Sequence, residues 1–210
     1  MSACCGQQDS NFDGASPAYK RALWTVIAIN GVMFFVEMGA GIGAQSQALQ
    51  ADALDFLGDT LTYGLSLMVI GSVLAVRARV ALLKGMSLAL MGIWVFGSTA
   101  YRVIDGGVPE APVMGIVGAL ALAANLASVV ILLKFRDGDS NVRSVWLCSR
   151  NDAIGNVAVM LAAAGVWGTQ TGWPDLIVAG AMAGLFLWSS IQIIRLALRE
   201  LGVVQQSNPA

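Results

Sequence analysis

The sequence predicts an all-α integral membrane protein, a bundle of six transmembrane helices with both termini in the cytoplasm. Three observations lead there. Of 210 residues, 57% are hydrophobic and 12% charged, and the mean hydropathy is +0.71, whereas a soluble domain carries about 25% charge. The apolar residues fall into six runs of about 20 residues or more, the length that crosses a hydrocarbon core about 30 Å thick. The basic residues gather on one set of turns.

The runs are Ala22–Ala44, Leu49–Val76, Val80–Tyr101, Ala111–Lys134, Ser140–Gly168 and Trp173–Leu198. Turn chemistry separates most of them: Gly-Ala-Gln-Ser-Gln at 43–47, Asp-Gly-Gly-Val-Pro-Glu-Ala-Pro at 105–112, Arg-Asp-Gly-Asp-Ser-Asn at 136–141 and Gly-Thr-Gln-Thr-Gly-Trp-Pro at 168–174. Residues 1–19 are polar, with Asp9 and Asp13 and no basic stretch, and read as a cytoplasmic tail rather than a signal peptide. Residues 20–200 form the six-span domain, and 201–210 are expected to be a short cytoplasmic tail.

Lys20 and Arg21 precede span one, and Arg77, Arg79 and Lys84 surround the 2–3 turn. Lys134, Arg136, Arg143 and Arg150 surround the 4–5 turn, and Arg195 and Arg199 close span six. Only Arg102 lies on the opposite side. The positive-inside rule places the majority side in the cytoplasm, and the expected location is the cell (inner) membrane.

Composition also excludes classes. A net charge of −1 offers no basic surface for nucleic acid. The chain has no histidine, so imidazole-ligated haem, Ser-His triads and the usual imidazole zinc site are out. Cys4, Cys5 and Cys148 make neither a disulfide framework nor a Cys-x-x-Cys motif.

What remains unexplained is acid inside the spans. Each ionisable group at bilayer depth costs at least about 2.5–3.5 kcal/mol. Glu37, Asp55, Asp59 and Asp152 together would cost on the order of 10 kcal/mol without compensation. Arg150 is the nearby cation, and it projects about 160° away from Asp152 at about 100° per residue. Protons, a bound cation or a hydrated cavity must supply the rest.

The acids are patterned. Asp52, Asp55, Asp59, Tyr63 and Ser66 fall within about 80° of one another on a helix. Asp55 and Asp59 are four apart, so their side chains stand about 5–6 Å apart on one face. Cys148 and Asp152 repeat that spacing in span five, and Asn156 extends the stripe; Asn30 and Glu37, seven apart, share a face of span one. Asp59 lies about 15 Å below Leu49 and Asp152 about 18 Å above Ser140, both near the midplane. If the two helices touch, Asp55, Asp59, Cys148 and Asp152 converge as three carboxylates and a thiol, four possible ligands, and four is the usual number for tetrahedral zinc. Asp52 by itself reads equally as a brace for the first turn of span two, and Cys148 by itself as a small buried hydrophobe.

These motifs resemble those of the cation diffusion facilitator family. The segment Ser46-Gln-Ala-Leu-Gln-Ala-Asp-Ala-Leu-Asp-Phe-Leu-Gly-Asp59 is similar to its second-span signature, and Cys148-Ser-Arg-Asn-Asp-Ala-Ile-Gly-Asn156 to its fifth. Asn30, Glu37 and Asn125 stand where the family has polar residues in spans one and four, and Trp173-Pro-Asp175 matches its opening of span six. The resemblance covers about residues 20–200 and implies metal–proton antiport. Cys148 replaces the family's fifth-span His, and Asp55 the second-span His of many members. The usual histidine-rich loop and the cytoplasmic domain after span six are expected to be missing. A homodimer would then need contacts between spans, and Gly115, Ala119 and Ala123 are small enough for close packing, within the chain or between copies.

The expected function is export of divalent transition metal, Zn²⁺ or Cd²⁺, in exchange for protons, with Asp55, Asp59, Cys148 and Asp152 as ligands. Asp52, Glu37, Asn30, Asn125 and Asn156 would support them. The thiolate favours softer ions, and three hard carboxylates argue against Cu(I). The metal is cargo, and no permanent cofactor is expected. Cys4 and Cys5 are candidates for accessory metal capture, although a polar tail rarely orders. Competing readings are a passive channel or permease, an intramembrane aspartyl protease and a thiol-redox protein. The protease leaves Cys148 and the paired four-residue spacings unexplained, and for thiol-redox chemistry adjacent Cys4 and Cys5 in a tail are a poor catalytic geometry.

Overall fold

The computed structural model describes the backbone of residues 16–69, 72–135 and 140–207, and their side chains apart from 74, 140–151 and 203–207. Six helices account for nearly all of it: α1 (Pro17–Gly43), α2 (Gln47–Met68), α3 (Leu74–Asp105), α4 (Ala111–Leu132), α5 (Ser140–Thr169) and α6 (Trp173–Ser207). A 3₁₀ turn, Leu133–Phe135, follows α4.

Local chemistry sets the helix ends. The Ser16 side chain accepts from the Tyr19 amide at 3.2 Å, with Pro17 in the first turn of α1. Ser46 accepts from the Leu49 amide at 3.1 Å and starts α2. Gly106, at φ 77°, takes the left-handed conformation that ends α3.

These limits differ from the apolar runs chiefly at five helix ends. The second run was expected to reach Val76 but α2 stops at Met68, and α3 starts at Leu74 rather than Val80. The sequence between them holds Gly71-Ser72, a pair that disfavours helix yet scarcely dents a hydropathy average. α1 begins five residues before Ala22, at Pro17, because Ser16 and Pro17 cap it there. α3 continues past Tyr101 to Asp105, and α6 past Leu198 to Ser207, so residues 201–207 are helical. Backbone hydrogen bonding carries a helix beyond the apolar stretch.

Among the described residues, five stretches are long and apolar enough to cross a membrane: Pro17–Gly43, Ala75–Asp105, Ala111–Phe135, Asp152–Thr169 and Trp173–Gly202. α2 has 22 residues and spans about 33 Å. Its length suffices, and its three aspartates set it apart. The outer surface carries Phe35, Ile93, Trp94, Ile104 and Trp188, all well exposed. So large an apolar surface suits lipid rather than water.

The helices pack as a four-helix unit, α1, α2, α4 and α5, against a closely paired α3 and α6. Glycines permit that pairing. A Cβ on Gly85 would come within 2.7 Å of Ile194, and one on Gly92 within 3.0 Å of Leu187. Leu49, Leu54, Val95, Met114, Val159, Val166 and Phe186 join the two units in one apolar core.

The two ends differ. Lys20 and Arg21 start α1, Arg77 and Arg79 lie in the first turns of α3, and Arg195 and Arg199 lie late in α6. Lys134 joins them, since Tyr19 meets Phe135 edge-on at 5.2 Å. This is the basic end. At the other end Arg102 donates to Gln45 at 2.6 Å and pairs with Asp105 at 3.1 Å, and the Glu110 amide donates to the Ala44 carbonyl at 3.0 Å.

Candidate metal centre

α2 presents Asp52, Asp55, Asp59, Tyr63 and Ser66 along one side, as their spacing requires. α5 packs against it and brings up Asp152, whose carboxylate interacts with those of both Asp55 and Asp59. The three expected carboxylates therefore meet. Tyr63 donates its hydroxyl proton to Asp59, and Asn30 of α1 reaches the same oxygen at 3.5 Å. Among the described residues no three acid or sulfur side chains already close on a single point. Cys148 lies on α5 one turn before Asp152, and its side chain is outside the described residues, as are Cys4 and Cys5.

Four of the five expected supporting residues form a buried chain beside these acids, while the fifth, Asn30, reaches Asp59. Asn125 of α4 donates to Asn156 at 2.9 Å, and Asn156 donates to Asp52 at 2.7 Å. Glu37 of α1, wholly buried, sits against Asp52. Four helices are thus joined through polar groups with almost no solvent contact. An asparagine suits the middle of such a chain because its amide both donates and accepts. Asp52 belongs to this chain as well as to the stripe on α2.

Asp55, Asp59 and Asp152 line a cavity of about 480 Å³ between the four-helix unit and the α3–α6 pair. From them it runs along Thr62 and Leu65 of α2, Lys84 and Ser87 of α3, and Ser189 and Ile193 of α6. Each of these lies nearer the basic end than the acids, so the cavity extends from mid-bundle toward that end. Its lining can accept a small cation at the carboxylate floor and water along the hydroxyls.

The opposite end is fastened. Asp175, in the first turn of α6, accepts from the Ser46 hydroxyl at 2.6 Å and from the amides of Gln47 and Ala48 at 2.8 and 3.0 Å. A carboxylate at a helix N-terminus satisfies orphan donors and complements the helix dipole. Here the helix it caps is α2, not its own.

Sequence reasoning counted Lys84 only as a basic residue near a turn. Its ammonium instead points into the cavity and donates to Ser66 at 2.8 Å. The one available signal was its place several residues inside an apolar run. Of the small residues along α4, Gly115 faces Ala163 of α5, whereas Ala119 and Ala123 are exposed. They do not form one continuous seam inside the chain; the closer approach is Gly118 to Met160.

Comparison with known proteins agrees with this architecture. Residues 76–201 match the model of the cation efflux transmembrane domain. The match starts after the second-span aspartates and includes Cys148, Asp152 and Asp175. In an alignment 184 positions long that covers 80% of the chain, it is 26% identical to the metal cation efflux system protein CzcD of Cupriavidus metallidurans. The identity and coverage are the same for the cation efflux system protein CzcD of Alcaligenes sp. strain CT14. The chain spans 57% of the length of each of these relatives. By its domain match and its helical architecture, this multi-pass membrane protein belongs to the cation efflux, or cation diffusion facilitator, family.

Proposed function

We propose that the chain exports divalent transition-metal ions, Zn²⁺ and Cd²⁺ foremost, from the cytoplasm in exchange for protons. The observation that carries the reading is the meeting of Asp55, Asp59 and Asp152 at the floor of a cavity directed toward the basic end. By the positive-inside rule that end faces the cytoplasm, and α2 crosses the membrane as the second of six spans. Cys148, one turn along α5 from Asp152, supplies the fourth ligand. Three oxygens and a thiolate make a borderline-soft set that suits Zn²⁺ and Cd²⁺ better than Mg²⁺.

Proton exchange follows from ligand chemistry. Carboxylates and a thiol must be deprotonated to bind M²⁺, so metal arrival releases protons and proton return expels metal. Alternating access then requires the cavity to close at the basic end and the Asp175 clasp to part at the other. The α3–α6 pair moving against the four-helix unit would do both, since the cavity lies on their boundary.

The test is uptake by everted membrane vesicles under an imposed pH gradient, comparing Zn²⁺, Cd²⁺, Mn²⁺ and Fe²⁺. Gradient-driven Zn²⁺ and Cd²⁺ accumulation supports antiport. Uptake that only dissipates a metal gradient and moves no protons would make the protein a passive channel.

A further inference from the structure

The cavity carries a positive charge that the proposed transport chemistry does not use. Among the described residues lining it, Lys84 is the only cation, facing the carboxylates of Asp55, Asp59 and Asp152. Its hydrogen bond to Ser66, at 2.8 Å, holds the ammonium on the cavity side of α3. Among the described residues no carboxylate lies within ion-pair distance of it. A lysine near a helix end ordinarily snorkels to the headgroups. Lys84 lies ten residues, about 15 Å, into α3 and turns inward instead.

Its level relative to the acids follows from the packing. Met91 of α3 is level with Gly58, since a Cβ there would lie 3.9 Å from the Met91 sulfur. Lys84 is seven residues, about 10 Å, nearer the basic end, as Ser66 is relative to Asp59. An ion moving from that end to the carboxylates passes the ammonium first.

We propose that Lys84 is a tethered counter-charge at the inner mouth of the cavity, lowering its affinity for every divalent cation and thereby keeping abundant hard ions off the site. The inference rests on the metal-site reading above. A unit charge about 10 Å from a divalent ion in a hydrated cavity shifts affinity on the order of tenfold. The penalty is equal for all divalent ions, so affinity ratios stay the same. Occupancy does not: a weakly held oxygen-seeking ion such as Mg²⁺ falls off at its millimolar level, whereas an ion gripped by a thiolate stays.

The experiment is Zn²⁺ titration of the purified protein in lipid nanodiscs, with and without millimolar Mg²⁺, paired with vesicle uptake. Lys84→Met keeps the stem and removes the charge; Lys84→Gln is a second neutral variant, and Lys84→Arg keeps the charge. Both neutral variants are expected to bind Zn²⁺ about tenfold more tightly and to become sensitive to Mg²⁺, with Lys84→Arg matching the parent. Unchanged affinity in the neutral variants, or an arginine variant that behaves like them, overturns the proposal. A parental protein that binds no Zn²⁺ would count against the metal site itself, a result distinct from a binding parent with unaltered neutral variants.

Discussion

Asp175 and Ser46 are 129 positions apart, and their side chains meet in a 2.6 Å hydrogen bond that ties the start of α6 to the start of α2. The same carboxylate holds two amides of α2, so one residue both caps a helix and joins the two packed units. At the other end of those units lies the mouth of the cavity. A structure fastened at one end and hollow toward the other is what a carrier facing one side of a membrane requires.

Asp175→Ala is expected to lower stability by about 1–3 kcal/mol, through loss of the cap and of a buried acceptor. It also frees the clasped end. Gln47, buried beside the carboxylate, should become more accessible, so Gln47→Cys should react faster with a membrane-impermeant maleimide when Asp175 is replaced. An unchanged labelling rate would mean the contact does not control that end.

The buried amide chain predicts a larger structural cost. Asn156 is wholly buried and bonded on both sides, to Asp52 and Asn125. Asn156→Ala removes one hydrogen bond from each of Asp52 and Asn125 inside the bundle and should cost about 2–4 kcal/mol. Thermal unfolding in detergent checks this, and a shift no larger than that of an exposed alanine substitution on α4 would contradict it.

Gly85 tests the α3–α6 pairing. A Cβ there would lie 2.7 Å from Ile194 and 3.3 Å from its backbone nitrogen, so Gly85→Val must push the helices apart. Overpacking of this kind costs about 1–3 kcal/mol. The expected outcome is a lower yield of folded protein and a lower unfolding temperature, with Gly64→Ala, which meets nothing within 4 Å, as the benign comparison.

Much of this arrangement was legible in the sequence. Six apolar runs located six helices, and the spacing of Asp55, Asp59 and Asp152 placed three carboxylates on facing helices at matched depth. The end of α2 at Met68 and the start of α3 at Leu74 were not legible, because a Gly-Ser pair disfavours helix without interrupting hydropathy. Nor was the inward turn of Lys84, which a charge count assigns to a membrane surface. The role of Asp175 required knowing that α6 starts beside α2, a tertiary fact that no local pattern encodes.

The thiol makes a prediction about ion choice. Imidazole is a good ligand for Zn²⁺ but a harder one than thiolate. Cys148→His should retain Zn²⁺ transport and weaken Cd²⁺ relative to it. Competition uptake of the two ions reads this directly, and an unchanged Cd²⁺/Zn²⁺ ratio would mean the sulfur does not touch the ion.

The central claim is that carboxylates from α2 and α5 hold the transported ion together. Asp59→Ala and Asp152→Ala each remove one of them while leaving the clasp and the amide chain in place. Gradient-driven Zn²⁺ uptake in everted vesicles, at matched membrane levels of each protein, is the most direct measurement. The account predicts uptake by the parent and none above background by either variant. Parental rates from either one would contradict it.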